Sequence, residues 1–391
     1  MSALAQDGAA AAEAALSVEE VVGPAALGAF LKMPADLYRD DPNWIPPLLF
    51  ERRMHLDPRK NPFFRQAEVA YWLVRRDGRP VGRISAQVNR AHLDRYRDAT
   101  GHFGFLEAAD DPEVFGLLLS TAEDWLRRRG MTRVLGPFTL SINDESGLLV
   151  AGFDRPPYLM MNHAPPYYAT RLEAQGYAKA KDLIAYLCDA DFELPRAARS
   201  LLAKASQDSS LRVRGIDMRR FREEIATVVD IFNDAWSENW GFLPFTEAEV
   251  GHMAESIKPI ITPGAVAIAE VEGEPAAMAV TLPNVNEAIR DLGGRLLPFG
   301  WLKLLWRLKV RGPSGVRMPL MGVRRRFHGT TLGGALGLMV IESVREYHRK
   351  RGVTEGELSW ILEDNMPTRH LIETFGGRPY KTYRVFEKEL A

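Results

Sequence analysis

The chain has almost no cysteine: one residue, Cys188, in 391. A single thiol cannot close an intramolecular disulfide or assemble a cysteine-based metal site, and it fits a reducing, cytoplasmic setting. No run reaches the roughly 20 uninterrupted apolar residues that a bilayer-spanning helix needs, so the chain is not expected to cross a membrane. Net charge is missing too. The 50 Lys and Arg stand against 51 Asp and Glu, and nothing in that balance calls for nucleic acid as a partner. The opening residues, MSALAQDGAAAAEAALS, hold Asp7 and Glu13 but no Lys or Arg. They lack the basic leader of a secretory signal, and residues 1–17 are expected to be a flexible tail. What is left is an ordinary globular composition, 46% apolar and 26% charged, in a chain long enough for two cores.

The chain carries a repeated pattern. A strand-turn-strand is expected at AEVAYWLVRRDGRPVGRISAQVN (67–89) and again at AVAIAEVEGEPAAMAVTLPNV (265–285), each turning on an acidic residue, Gly, any residue and Pro. Each hairpin is followed by an amphipathic helix with a basic Gly stop, WLRRRGMTRV (125–134) and YHRKRGVTEG (347–356); basic residues before a terminal Gly suit a helix C-terminus. A short helix closing on Gly and a last strand complete each copy. The order predicts a mixed α/β sheet with helices packed on it, built as two tandem units. Their expected bounds are 18–190 and 211–391, with a linker at 191–210. The copies differ by insertions, one after Val134 and one at 293–320, and specificity is expected there.

The most informative run is MGVRRRFHGTTLGGALGLMVIESVREYHRKRG (321–352). A short apolar strand, Met321, Gly322 and Val323, passes through Arg324, Arg325 and Arg326 into His328, Gly329, Thr330, Thr331, Leu332, Gly333 and Gly334, and then directly into a helix. Such a junction aims unpaired N–H groups and the positive end of a helix dipole at one point, which suits a pyrophosphate; a Gly-rich helix start without a ligand is the alternative. In the first copy the same place holds GHFGFLEAADDPEV (101–114). Its Glu107, Asp110, Asp111 and Glu113 would repel phosphate, so only the second copy is expected to carry the acyl-CoA loop.

From this loop to the C-terminus the chain resembles the GNAT acetyltransferase superfamily. The family pattern V-x-P-x-x-[R/Q]-x-x-G-x-G lies without a gap on Val323 to Gly333. Arg325 stands at the Pro, His328 at the Arg or Gln, Thr331 at the first Gly, and Gly333 keeps the second. The resemblance implies CoA as the thioester carrier and a strand N–H within Met321–Val323 polarising the thioester carbonyl. It also places Ile372 where many members have a Tyr that protonates the leaving sulfur.

Further runs resemble a narrower group, the bacterial ceramide synthase-like family: DDPNWIPPL (40–48), GHFGFLE (101–107), SINDESGLLVAGFD (141–154), NHAPPYY (162–168), NDAWSENWGFLPFTEAE (233–249) and ELSWILEDN (357–365). That resemblance implies transfer of a fatty acyl group from acyl-CoA, or acyl-carrier protein, to the amine of a sphingoid base, forming a ceramide-type amide. Two other readings stay open at this point: acetyl transfer to a small polar amine, and a non-catalytic acyl-CoA sensor. The residues add an independent hint of lipid. The second insertion, GGRLLPFGWLKLLWRLKVRGPSGVRMPL, interleaves Trp, Leu and Phe with Arg and Lys, and no acidic residue falls between Asp291 and Glu342. Residues 295–311 suit an anionic membrane surface, which would make the protein peripheral on the inner face, or a cap on an acyl tunnel; ordinary packing on the sheet is the plainer alternative.

Amide formation from a thioester needs a base for the amine, a donor to the developing oxyanion and no covalent nucleophile. At the exit of the strand GELSWILEDN, Glu363 is the first candidate base and Asp364 the second, with Asn365 and His370 beside them; Asp364 or Asn365 could instead cap the helix that follows. Asn143, Asp144 and Glu145, then Tyr167 and Tyr168, could recognise an amino-alcohol head group, or the first three could form an Asx turn. Asn239, Trp240 and Phe242 are expected to border the acceptor or plug the sheet. No metal site is expected.

Overall fold

The structure is a computed structural model and describes residues 15–390. The tail expected at 1–17 lies outside the described residues up to residue 14. Leu16 and Ser17, placed in that tail, instead open a strand.

The first half contains strands β1 (Leu16–Glu20), β2 (Ala67–Arg76), β3 (Arg79–Asn89), β4 (Thr100–Ala108), β5 (Arg133–Gly136), β6 (Leu148–Ala151) and β7 (Ala178–Asp189). Its helices are α1 (Gly23–Lys32), α2 (Pro34–Leu37), α3 (Leu49–His55), α4 (Arg90–Tyr96), α5 (Pro112–Arg127) and α6 (Tyr167–Ala174). The region expected as a linker folds into α7 (Arg196–Ala205). The second half has β8 (Leu211–Arg214), β9 (Val266–Val271), β10 (Glu274–Pro283), β11 (Gly315–Val323), β12 (Glu355–Leu362) and β13 (Arg378–Glu389). Its helices are α8 (Phe221–Ala235), α9 (Glu247–Ile257), α10 (Val285–Ile289), α11 (Gly300–Trp306), α12 (Thr331–Arg349) and α13 (Met366–Thr374).

Both hairpins form where the repeat places them. Asp77 and Gly78 join β2 to β3 with φ of 49° and 76°, and Glu272 and Gly273 join β9 to β10 with φ of 54° and 86°. Two successive positive φ values give the turn whose twist matches that of paired strands, and Asp-Gly is a favoured way to adopt it. On β9 and β10, Ala267, Ala269, Ala277 and Ala279 are fully buried beneath Leu336, Val340 and Val344 of α12. The small alanine surface lets α12 lie close to the sheet, and each large side chain buried there contributes roughly 1.5–3 kcal/mol. In the first half α5 does the same over β3, where Gly82 leaves room for Val114 and Leu118.

The repeat does not predict how the halves join. All thirteen strands form one sheet in the order β1-β2-β3-β4-β5-β13-β7-β12-β11-β10-β9-β8, with β6 paired to β13. The last strands are exchanged: β13 sits beside β5, and β7 sits beside β12. Each half therefore completes the other's sheet, and the seam is an antiparallel ladder between β7 and β13 whose register shifts at Pro379–Lys381 and at Val385–Phe386.

Candidate active site

The two halves treat their central parallel strand pair differently. In the second half β11 and β12 pair only from Gly315–Glu355 to Met318–Leu358, after which both strands continue unpaired to each other. A wedge opens between them. In the first half β4 and β5 pair over Thr100–His102, but the chain beyond β5 fills the gap. Phe138 N donates to Phe103 O at 2.8 Å, Gln87 holds the carbonyls of Phe138 and Leu140, and a Cβ on Gly104 would overlap Phe138 O.

The phosphate-type loop also exists in the second half alone. Thr330 caps α12, its hydroxyl accepting from Gly333 N at 3.0 Å. Gly329 has φ of 70°, and Gly333 packs so tightly on Phe327 that a Cβ would overlap its carbonyl oxygen. Arg326 is exposed, has no ion-pair partner among the described residues and stacks on Phe327. Arg324 is held by Pro275 O and Asp230, Arg325 by Glu238 and Ser237, and His328 by Val323 O. The first turn of α12 thus offers N–H groups, a nearby free guanidinium and no acidic side chain within it, a set that fits a pyrophosphate. At the equivalent start of α5, Asp111 is the cap and Glu113 occupies the first turn, with Arg76 spent on both.

The wedge opens onto a cavity of about 780 Å³ between the two halves, within the usual range for a small-molecule site, about 300–1,000 Å³. Pro319 and Leu320 from β11 and Ser359 and Trp360 from β12 form its wall at the wedge. Its apolar end is made by Ile45, Leu48, Val285 and Ile289, and is closed by Leu304 of α11 and Leu308 of the turn that extends it. The outer side of the same segment faces solvent: Leu297 is 81% exposed, Phe299 68% and Val310 70%, and Trp301, Leu302, Leu305 and Trp306 are exposed as well. Exposed apolar surface of this extent on one segment marks an interaction face.

The opposite end is polar. Arg52 and Glu145 form a short, largely buried ion pair, and Thr139 Oγ1 donates to the same carboxylate at 3.2 Å. Burial pushes the Glu145 carboxyl up, but Arg52 outweighs it and the group ends below its ordinary range. Asp144 accepts from Ser141 N at 3.1 Å. Burial raises its carboxyl, with His55 and Ser141 offsetting only part. Glu107 receives Tyr38 Oη at 2.5 Å and Tyr168 Oη at 3.1 Å, with Arg83 3.6 Å away; burial still lifts it above its usual value. At the wedge, Arg317 Nε donates to Ser359 Oγ at 2.8 Å and its Nη1 to Leu159 O at 3.0 Å. The third loop of this wall is Leu159–Ala164, where His163 is tied to Asp41 at 2.7 Å.

Six of the residues singled out for the acceptor come together here: Asn143, Asp144, Glu145, Asn239, Trp240 and Phe242 all line the cavity. Asn143 and Asp144 also sit in a tight turn, through Ser141 Oγ and Ser141 N, the Asx-type turn weighed as the alternative. Asn143 Nδ2 further bonds Leu243 O across the halves. Tyr167 and Tyr168 do not reach the cavity; their hydroxyls engage Ala108 O and Ala108 N, bracing the end of β4. The four residues named for catalysis are also elsewhere. Glu363 bonds Lys179 and Asp182 N, Asp364 bonds Lys181, Asn365 caps α13 through Thr368 N, and His370 is exposed beside Glu373. Helix capping, the alternative weighed for this strand exit, is what Asn365 does. Legible in sequence only as a lone histidine was His163, and missed altogether were Asp41, Arg52 and Arg317. The first two stand in runs already singled out, NHAPPYY and DDPNWIPPL, but nothing local pairs residues so far apart.

Among the described residues no group of three or more His, Cys, Asp or Glu could hold a metal ion, and no helix is long and apolar enough to cross a membrane. No family model matches the chain. It is 49% identical over 382 residues to a protein of Caulobacter vibrioides named bacterial ceramide synthase, covering 96% of this chain and 98% of that one. It is 44% identical over 365 residues to protein YghO of Escherichia coli, covering 93% of each. Among solved structures, a tandem GNAT protein from the clavulanic acid biosynthesis pathway aligns over 96% of this chain with a TM-score of 0.58 at 15% identity. A GCN5-related N-acetyltransferase from Sphaerobacter thermophilus aligns over 96% with a TM-score of 0.51. These two likenesses are of fold.

Proposed function

Since the chain belongs to the bacterial ceramide synthase family and has a tandem GNAT fold, we propose that this acyl-CoA-dependent N-acyltransferase moves a fatty acyl group onto the amine of a sphingoid base. The observation that carries the lipid reading is the cavity: it joins the β11–β12 wedge to an apolar end beneath α11 and a polar end around Arg52, Asp144 and Glu145. One long chain and one head group have places in it. Acyl-CoA is the donor, its pyrophosphate over the first turn of α12 and its thioester in the wedge.

Met321 supplies the oxyanion donor in this reading. Its carbonyl accepts from Trp236 Nε1 at 3.0 Å, and a strand residue turns its N–H and C=O to the same edge, so its N–H faces the wedge. The ammonium end of the acceptor lies near Asp144, a buried acidic group at the polar end that has no Arg or Lys partner among the described residues. The lipid reaches the cavity past residues 295–311, whose apolar outer face and Arg295, Lys309 and Arg311 rest on an anionic membrane surface, each basic residue contributing on the order of 1 kcal/mol.

Thiol release is the test, measured with acyl-CoAs from acetyl to palmitoyl, with and without a sphingoid base. Amine-dependent release that rises with chain length is expected. Release with acetyl-CoA and a small polar amine alone would replace the lipid reading, and tight CoA binding without release would make the protein a sensor.

A further inference from the structure

None of Glu363, Asp364, Asn365 and His370 lines the cavity. Three histidines do: His55, His163 and His252. His55 leans on a backbone carbonyl, Thr139 O, at 3.3 Å, and no carboxylate is bonded to His252. His163 differs from both. Its Nε2 lies 2.7 Å from Asp41 Oδ2, while its Nδ1 is buried and has no hydrogen-bond partner.

Resting on the acyltransferase reading above, we propose that His163, oriented by Asp41, is the general base of this site, supplied by the first half of the chain to chemistry in the second. A carboxylate can only accept, so Nε2 carries the proton and Nδ1 keeps its lone pair. Asp41 is held ionised: burial raises it, but His163 and the N–H of Asn43 bring it below its ordinary value. Burial and the Lys381 ammonium keep His163 below the usual histidine value despite Asp41, so the imidazole is neutral at pH 7. The Tyr38 ring packs against it at 5.8 Å. Asp41, Tyr38 and Lys381 are the titratable groups that face it.

The loop is also in the right place. Two residues before His163, Met161 Sδ lies 3.5 Å from Ser359 Oγ, whose proton goes to Glu357 Oε1 at 2.5 Å, and Ser359 forms the wedge wall. His163 and Ser359 both line the cavity, which puts the imidazole on the path of an amine that enters the wedge. The step balances. The ammonium first gives up one proton to solvent, the neutral amine nitrogen attacks the thioester carbon, a second proton passes to Nδ1, the C–S bond breaks, and the leaving thiolate takes a proton from the imidazolium or solvent. The products are an amide and a free thiol.

His163→Gln keeps a donor to Asp41 and removes the base. It should lower kcat roughly 10²–10⁴-fold with KM and CoA affinity unchanged, and should abolish the acid limb of the kcat/KM profile. Asp41→Asn leaves the base but withdraws its anionic partner, so kcat falls and the surviving limb moves to lower pH; a packing role would not move it. Wild-type kcat in His163→Gln, or an unmoved limb in Asp41→Asn, overturns the proposal. Both variants are assayed on whichever amine the native protein acylates, so a failed sphingoid substrate leaves this test intact. Nitrogen NMR of the native imidazole decides independently of turnover: a bare Nδ1 at pH 7 supports the assignment, and a proton on Nδ1 refutes it.

Discussion

Gly333 and Gly334 are neighbours at the start of α12, and their surroundings predict opposite responses to the same substitution. A Cβ on Gly333 would overlap the carbonyl oxygen of Phe327 and stand 3.0 Å from its carbonyl carbon. Backbone is the obstacle on that side, so the turn at Arg325–Phe327 must separate from α12. Overpacking of this kind costs about 1–3 kcal/mol. A Cβ on Gly334 would meet only Leu201 Cδ2, at 3.9 Å. That is an ordinary contact, and Ala is favoured over Gly inside a helix by about 1 kcal/mol. The propensity gain is common to both variants, so they should differ in unfolding free energy by the overpacking cost, roughly 1–3 kcal/mol, with Gly334→Ala at or above the native protein. Denaturant unfolding measures this. CoA titration of the same proteins adds the functional half: Gly333→Ala should weaken binding because the N–H groups move, and Gly334→Ala should weaken it without any loss of stability because its methyl stands where the phosphates approach. Equal stability of the two variants would refute the packing argument, and native CoA affinity in Gly334→Ala would refute the placement of the phosphates.

Three other outcomes follow from the same geometry. Arg52→Met or Glu145→Gln alone leaves its partner charged in a largely buried site and should cost about 3–5 kcal/mol, while the double replacement Arg52→Met/Glu145→Met recovers much of the loss; denaturant unfolding of the three proteins checks it. His348 donates to Thr281 Oγ1 at 2.6 Å in a buried site, and burial, with Arg351 adding, pushes its imidazole down to about 4. Its folded value lies below that of the free side chain, near 6.5, so its contribution is complete above pH 6.5 and declines as the pH falls toward 4, by up to roughly 3 kcal/mol at 1.36 kcal/mol per pH unit; His348→Gln should flatten stability in that window. Replacing Phe299, Trp301 and Trp306 with Glu should abolish sedimentation with anionic vesicles while leaving the unfolding midpoint unchanged, because all three side chains are exposed.

How much of this was legible in the sequence depends on the range of the interaction. The hairpins, the capped α12 and the contrast between Thr330 and Asp111 as helix caps are local, written within a few residues. The strand exchange is not. β7 and β13 present the same alternating pattern whichever neighbour they take, and only pairing across the halves selects β13 beside β5. The cavity was half legible: Asn143, Asp144 and Glu145 stood out as a dense polar cluster beside an apolar run, whereas Arg52 and Arg317 looked like any surface arginine until burial paired them with Glu145 and Glu357. The partners of Glu363 were hidden for a related reason. Its place at a strand exit is written locally, but the exchanged β7 brings Lys179 to it.

In the proposed reaction the joined halves make an amide between a fatty acyl group and a lipid amine. Mass spectrometry of the product formed by the purified protein from palmitoyl-CoA and a sphingoid base tests it most directly. The account predicts a single new species at the mass of the N-palmitoyl amide, formed with an equal amount of free CoA. Release of palmitic acid with no amide, or no consumption of palmitoyl-CoA while acetyl-CoA is consumed, would contradict it.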